Sequence, residues 1–200
     1  MKVFIIESSY PKDFYSQKLD GIAAQSILNI LSVRNELRFA LDITHFKKAM
    51  AEAKEGNYTV IHLSCHGAKD GVALGETCAP TWDEFADLFQ KNDWCPKALV
   101  MSSCCGATSG IRNAFKNKAE RPEIIFGSSD ERSYGEYTVA WAILYHRFKK
   151  NGINRGSAQQ ALKEINAVVS NKFLYRRWST SQRSYLSYPG KGVKYEIKET

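Results

Sequence analysis

The chain has 200 residues, a net charge of +7, 44% hydrophobic and 24% charged residues, and five cysteines. That length supports one well-buried core and that composition is ordinary for a globular domain, which excludes a disordered, fibrous or membrane-spanning chain. The opening MKVFIIESSY is too short in apolar residues for a signal-peptide core, and an odd cysteine count without an export signal points to free thiols and a cytoplasmic location rather than a disulfide framework.

In chain order, Lys2 to Ile6 reads as a short buried strand. It is followed by the polar aromatic loop SSYPKDFYSQKLDG, punctuated by Pro11 and Gly21. Loops after strand ends carry sites in open α/β sheets, so this one is a place to look for function. Apolar residues at helical spacing from Ile22 to Leu31 predict a helix, Glu36 to Leu41 a second strand, and Thr44 to Gly56 a helix capped by Thr44 and ended by Gly56. Tyr58 to Gly67, YTVIHLSCHG, is a β-branched run that stops in small residues and His66. The segment AKDGVALGETCAPT suggests a small hairpin, and Thr81 with Glu84 forms a capping box for a helix whose Trp82, Phe85, Leu88 and Phe89 share one face.

Pro96 resets the chain into a second abrupt apolar run, Ala98 to Gly106, ALVMSSCCG. A short helix (Ile111 to Lys118), a buried strand (Glu123 to Gly127), the loop SSDERSYGE, a long apolar helix (Tyr137 to Lys150) and a helix capped by Ser157 follow. The tail YLSYPGKGVKYEI reads as two short strands around a Gly-rich turn, within a basic-aromatic hairpin over residues 172–200. There is no linker and no internal repeat, so residues 1–200 are expected to form a single domain: an α/β sandwich around a mostly parallel sheet. The tail interleaves Lys172, Arg176, Arg177 and Arg183 with Phe173, Tyr175, Trp178 and Tyr185. No recognised nucleic-acid motif accompanies this charge, so a solvated basic face is expected rather than nucleic-acid binding.

The two strand ends carry the chemistry. If the strands are neighbours, an imidazole and a thiol meet at one end of the sheet as a base and its nucleophile, because a thiol attacks a carbonyl only as the thiolate. The backbone N–H groups of Gly67 and of the nucleophilic cysteine would form a two-donor oxyanion hole. No cofactor is needed for such chemistry. Competing readings are a structural His66 and Cys104, a Zn site of Cys65, His66, Cys104 and Cys105, a redox pair of vicinal cysteines, and a catalytically silent scaffold. A Zn site lacks the usual ligand spacing, and adjacent strand residues point to opposite faces. His62 reads as a core or supporting residue, Cys78 and Cys95 as structural, and His45 and His146 as helical surface or cap residues.

HLSCHG and LVMSSCCG resemble the two motifs of the caspase-like (clan CD) cysteine peptidases, in which one apolar strand ends in His-Gly and the next in a small or polar pair before the nucleophilic Cys. The resemblance is greatest to the CHAT domain family, whose order after the Cys strand matches EIIFGSSDERSYGEYTVAWAILYHRFKKNGINRGSAQQALKEI. His66 and Cys104 are 38 residues apart, shorter than the roughly 50 of the caspase pattern, and no Gln-Ala precedes the Cys. The resemblance implies a caspase-like three-layer α/β/α sandwich and a cysteine endopeptidase with Cys104 as nucleophile and His66 as general base and acid. It implies a protein substrate, a pocket in which Asp130 and Glu131 select Arg or Lys, and, in bacteria, a role in partner-triggered defence or regulated cell death. Two hundred residues leave no room for a separate sensor domain, so an activating or regulatory protein partner is expected.

Overall fold

The unbroken apolar runs of this chain need cover on both faces, and parallel strands between two helical layers supply it. In the computed structural model, which describes residues 1–190 and 192–195, the elements run β1 (Lys2–Ser8), α1 (Pro11–Tyr15), α2 (Asp20–Ile30), β2 (Arg34–Phe39), α3 (Ile43–Glu55), β3 (Val60–Cys65) and α4 (Trp82–Lys91). They continue with β4 (Ala98–Ser102), α5 (Ser109–Lys116), β5 (Ile124–Ser128), α6 (Tyr134–Asn151), α7 (Arg155–Val168), β6 (Phe173–Ser179) and β7 (Ser184–Tyr188). One sheet has the order β2-β1-β3-β4-β5-β6-β7; β1 to β5 are mutually parallel, and β6 and β7 join antiparallel.

Alternation along the strands splits the core in two. Phe4, Ile6, Ile61, Leu63, Leu99 and Met101 pack with residues of α3, α4 and α5, while Val3, Ile5, Val60, Ala98 and Val100 pack with residues of α2, α6 and α7. The result is the expected three-layer α/β/α sandwich. On the first face Phe85 is fully buried, with Phe46, Phe89 and Phe115 at centroid distances of 6.0, 5.3 and 6.4 Å.

Several local expectations shift. The cap of α3 is Asp42, whose side chain accepts the His45 N–H at 2.8 Å, not Thr44. The cap of α7 is Asn154, with Ser157 three residues inside the helix returning the bond. Both are carboxylate or amide caps placed one or more residues before the Ser or Thr that the sequence offers. The AKDGVALGETCAPT segment has two isolated bridges, Gly67 with Val72 and Gly71 with Thr81, rather than a hairpin of regular strands. The loop after β1 contains the one-turn helix α1, and α2 buries Asp20, Gly21, Ala24 and Leu28 while Ile22 and Ile30 are exposed.

The terminal hairpin is β6–β7, closed by residues 180–183, and YLSY is its second strand. Residues 192–195 are not strand, and the rest of the expected last strand lies outside the described residues. Its basic face is not uniformly solvated: Arg176 is 6% exposed, and burial next to Arg112 lowers its pKa to about 10. Among the described residues no helix is long and apolar enough to cross a membrane.

Phe85→Ala is expected to cost about 3–5 kcal/mol of stability in urea unfolding, because the aromatic cluster cannot collapse onto the void. Ile30→Ala, at a position 83% exposed, is expected to cost under about 0.5 kcal/mol in the same measurement.

Candidate active site

The register of β3 against β4 sets Ser64 opposite Ser102. His66 and Cys104 each follow two residues later, so parallel pairing delivers both to the carboxyl end of the sheet. They line one cleft of about 190 Å³ together with Asp20, Ser64, Ser102 and Tyr137. His66 is exposed, and Cys104 is half-buried.

Gly67 touches the backbone of Cys104: a Cβ there would lie 2.3 Å from the Cys104 carbonyl oxygen and 3.0 Å from Ser103 Cβ, so only glycine permits this approach. Among the described residues neither the Gly67 nor the Cys104 amide donates to a protein acceptor, whereas the Cys105 amide donates to the Asp130 carbonyl at 3.3 Å.

The turn carrying Cys104 is fastened from several sides. Ser128 Oγ donates to the Ser103 carbonyl at 3.2 Å, the Ala107 amide donates to the Ser128 carbonyl at 2.9 Å, and Arg176 Nε donates to the Ala107 carbonyl at 2.6 Å. Cys105 adopts a left-handed φ of 59°, which turns it away into the protein, where it is 7% exposed. Burial and the nearby charge of Cys104 push its thiol up. Cys65 is also buried, in the core beside Leu63 and Met101, and burial pushes its thiol up far more. Neither is therefore a ready thiolate.

Asp130 and Glu131 lie elsewhere. They line a second, larger cleft of about 860 Å³ with Gly67, Lys69, Asp70 and Cys105, and none of these residues lines the first. Lys172 at 3.2 Å and Arg132 at 3.4 Å hold the Asp130 carboxyl below its ordinary range.

The contacts that the sequence reading passed over come from the loop after β1 and from the start of α2. Asp13 Oδ2 is 2.7 Å from His66 Nε2, and the Tyr10 ring stacks on the imidazole at 4.3 Å. Beneath the cleft, Glu7 accepts the Gly21 amide at 2.6 Å and the hydroxyls of Ser9 and Ser64. His62, fully buried, accepts the Tyr145 hydroxyl at Nδ1 (2.7 Å) and meets Asp20 Oδ2 through Nε2 at 3.2 Å. Asp20 Oδ1 is buried without a partner. The only available signal was the position of the loop at a strand's carboxyl end, which points to a region but to no residue.

These features define a mixed α/β protein with a thiol and an imidazole at adjacent strand ends, and its fold is that of the caspase-like proteins. The chain is similar in structure to a secreted C11 cysteine protease from Bacteroides thetaiotaomicron, "iotapain", with a TM-score of 0.58 and 8% identity, over 91% of this chain. It spans 66% of the length of that protein. No protein-family model matches the sequence, and no curated protein matches it.

Glu7 supplies a pH test of this buried floor. Its burial raises the carboxyl above the usual 4.5, outweighing the hydrogen bonds from Ser9, Gly21 and Ser64. Ionised Glu7 is thus less favoured in the folded chain than in the unfolded one, so no stability is lost below about pH 4.5 and loss accumulates as pH rises through the raised folded value. Glu7→Gln is expected to gain stability relative to the parent on going from about pH 4.5 to about pH 7.5, read as the difference in urea midpoints.

Proposed function

We propose that this chain is a cysteine peptidase in which Cys104 is the nucleophile and His66 the acid and base. The observation that carries the reading is that His66 and Cys104 line one cleft while Gly67, its amide unspent, lies against the Cys104 backbone. The Cys104 proton passes to His66, and the thiolate sulfur attacks the carbonyl carbon of a peptide bond. The resulting oxyanion is held by the amides of Gly67 and Cys104, each such donor being worth about 10²–10³ in rate. The imidazolium then protonates the leaving amine as the C–N bond breaks. Water, deprotonated by His66, hydrolyses the thioester and returns the thiol.

The cleft favours a basic side chain at the residue before the cleaved bond. Asp20 lines it with one carboxylate oxygen spent on His62 and the other unpartnered, while Arg132 on the same wall is already engaged by Glu136 at 2.9 Å and by Asp130. In this reading Asp20 binds the Arg or Lys, and Glu131, with Asp130 partly neutralised by Lys172 and Arg132, gives the neighbouring cleft its acidic rim. The resemblance to CHAT domains supports a protein substrate and a part in partner-triggered bacterial defence, and free cysteines support a cytoplasmic setting.

Cleavage profiling with a positional-scanning peptide library, alongside mass-spectrometric mapping of iodoacetamide labelling, tests the assignment. Wild type is expected to cut after Arg or Lys and to alkylate at Cys104. Cys104→Ala should fall to background cleavage, and His66→Ala should slow alkylation of Cys104. A silent scaffold would show no dependence of labelling on His66, and full proteolysis by Cys104→Ala sinks the enzyme reading. Asp20→Asn is expected to lower kcat/KM for basic substrates about tenfold or more, the worth of a hydrogen bond to a charged group; an unchanged preference in Asp20→Asn with loss in Glu131→Gln would move the pocket to the second cleft.

A further inference from the structure

A catalytic imidazole must present the right nitrogen in the right tautomer, and the residue that does this for His66 is not on either strand. His66 is held by the loop after β1. Its side chain is 45% exposed and is bonded by one other side chain among the described residues, Asp13, which is 14% exposed. That carboxylate is itself fixed: Asp13 Oδ2 also accepts the Tyr10 backbone N–H at 3.1 Å, closing the first turn of α1 behind Pro11. The same Tyr10 lays its ring over the imidazole at 4.3 Å and 23°, so the ring plane and its edge are restrained together.

We infer that Asp13 is a positioning residue for His66 and that the site works as a Cys104–His66–Asp13 set, an inference that rests on the peptidase reading. A carboxylate oxygen that already takes the Tyr10 N–H can only accept, so Nε2 of His66 carries the hydrogen and donates it to Asp13. Nδ1 is then the nitrogen with the lone pair. It receives the Cys104 proton, and the positive charge that forms on the ring lies against a carboxylate about one hydrogen bond away. The proton later leaves from Nδ1 to the departing amine, and Asp13 stays ionised throughout. With Asp13 absent, a ring this exposed exchanges tautomers and rotates about its own side-chain bonds, and a fraction of molecules face the cleft with the wrong nitrogen.

The test has two arms. The first reads the tautomer by long-range ¹H–¹⁵N spectra of the imidazoles of full-length protein carrying Cys104→Ala, which removes the thiolate partner, with the His66 signals assigned by their loss in His66→Gln. Expected is a single tautomer protonated at Nε2, turning into a mixture when Asp13→Ala is added. The second arm is kinetic, on the intact chain: Asp13→Ala should lower kcat about 10- to 100-fold with KM within about twofold, the cost of a misplaced catalytic group. Tyr15→Ala, at a position on α1 that is 94% exposed, should keep wild-type kcat, and the urea midpoint of Asp13→Ala should stay with the parent, separating orientation from unfolding.

An imidazole with the same tautomer distribution in the presence and absence of Asp13, or an unchanged kcat in Asp13→Ala, overturns the inference. If no variant cleaves peptides yet the Nε2 tautomer depends on Asp13, the positioning role stands and the peptidase reading fails. If wild type cleaves through Cys104 while the tautomer ignores Asp13, the reverse holds.

Discussion

Everything at this site depends on the pairing of β3 with β4. Because Ser64 sits opposite Ser102, the residues just past each strand end, His66 and Cys104, come to the same end of the sheet and line one cleft. A slip of one residue in β3 would turn its side chains to the other face, taking Leu63 out of the layer it shares with α3, α4 and α5 and into the one filled by α2, α6 and α7. The core therefore enforces the register, and the register enforces the meeting of imidazole and thiol. Gly67 completes the arrangement, because its missing side chain lets the two strand ends close until its backbone touches the Cys104 carbonyl.

The sheet end that carries this pair is unusually polar for a buried place. Glu7, Asp20, His62 and Ser64 are all buried, and their hydrogen bonds form two sets, Glu7 with Ser9, Ser64 and the Gly21 amide, and His62 with Asp20 and Tyr145. One oxygen of Asp20 remains unpartnered, at a cost of order 1–3 kcal/mol. A fold maximising stability would place apolar residues here, as it does at the other end of the same strands with Val3, Val60 and Ala98. This local departure from the packing rule lies at the carboxyl ends of the strands, where the cleft of His66 and Cys104 also opens.

The sandwich and the two strand ends were legible because they rest on local signals: uninterrupted β-branched runs, the Thr81 capping box, and small residues after each run. Helix faces were legible where a single apolar stripe meets the core, as in α4, and not in α2, whose buried side is Asp20, Gly21, Ala24 and Leu28 because it packs over the polar floor. Asp13 and Asp20 were hidden for a different reason. They lie 53 and 42 residues from His66 and His62, and no period or spacing in the sequence encodes a contact formed by the return of a loop across the sheet. Arg176 illustrates the same limit: by composition it belongs to a basic face, but pairing of β6 with β5 swings it inward to the Ala107 carbonyl.

Cys104 and His66 are supported by different kinds of structure. Cys104 sits in a turn bonded to Ser128 and Arg176, both buried and both on strands of the sheet, so its position is fixed by the global fold. His66 protrudes past the end of β3, and the side chains that restrain its ring belong to α1 and the residue before it, a segment in which no helical residue is buried. Elements with few buried contacts open at lower free energy than the core. The thiol is thus the rigid half of the pair, and the orientation of the imidazole is set by the loop between β1 and α2.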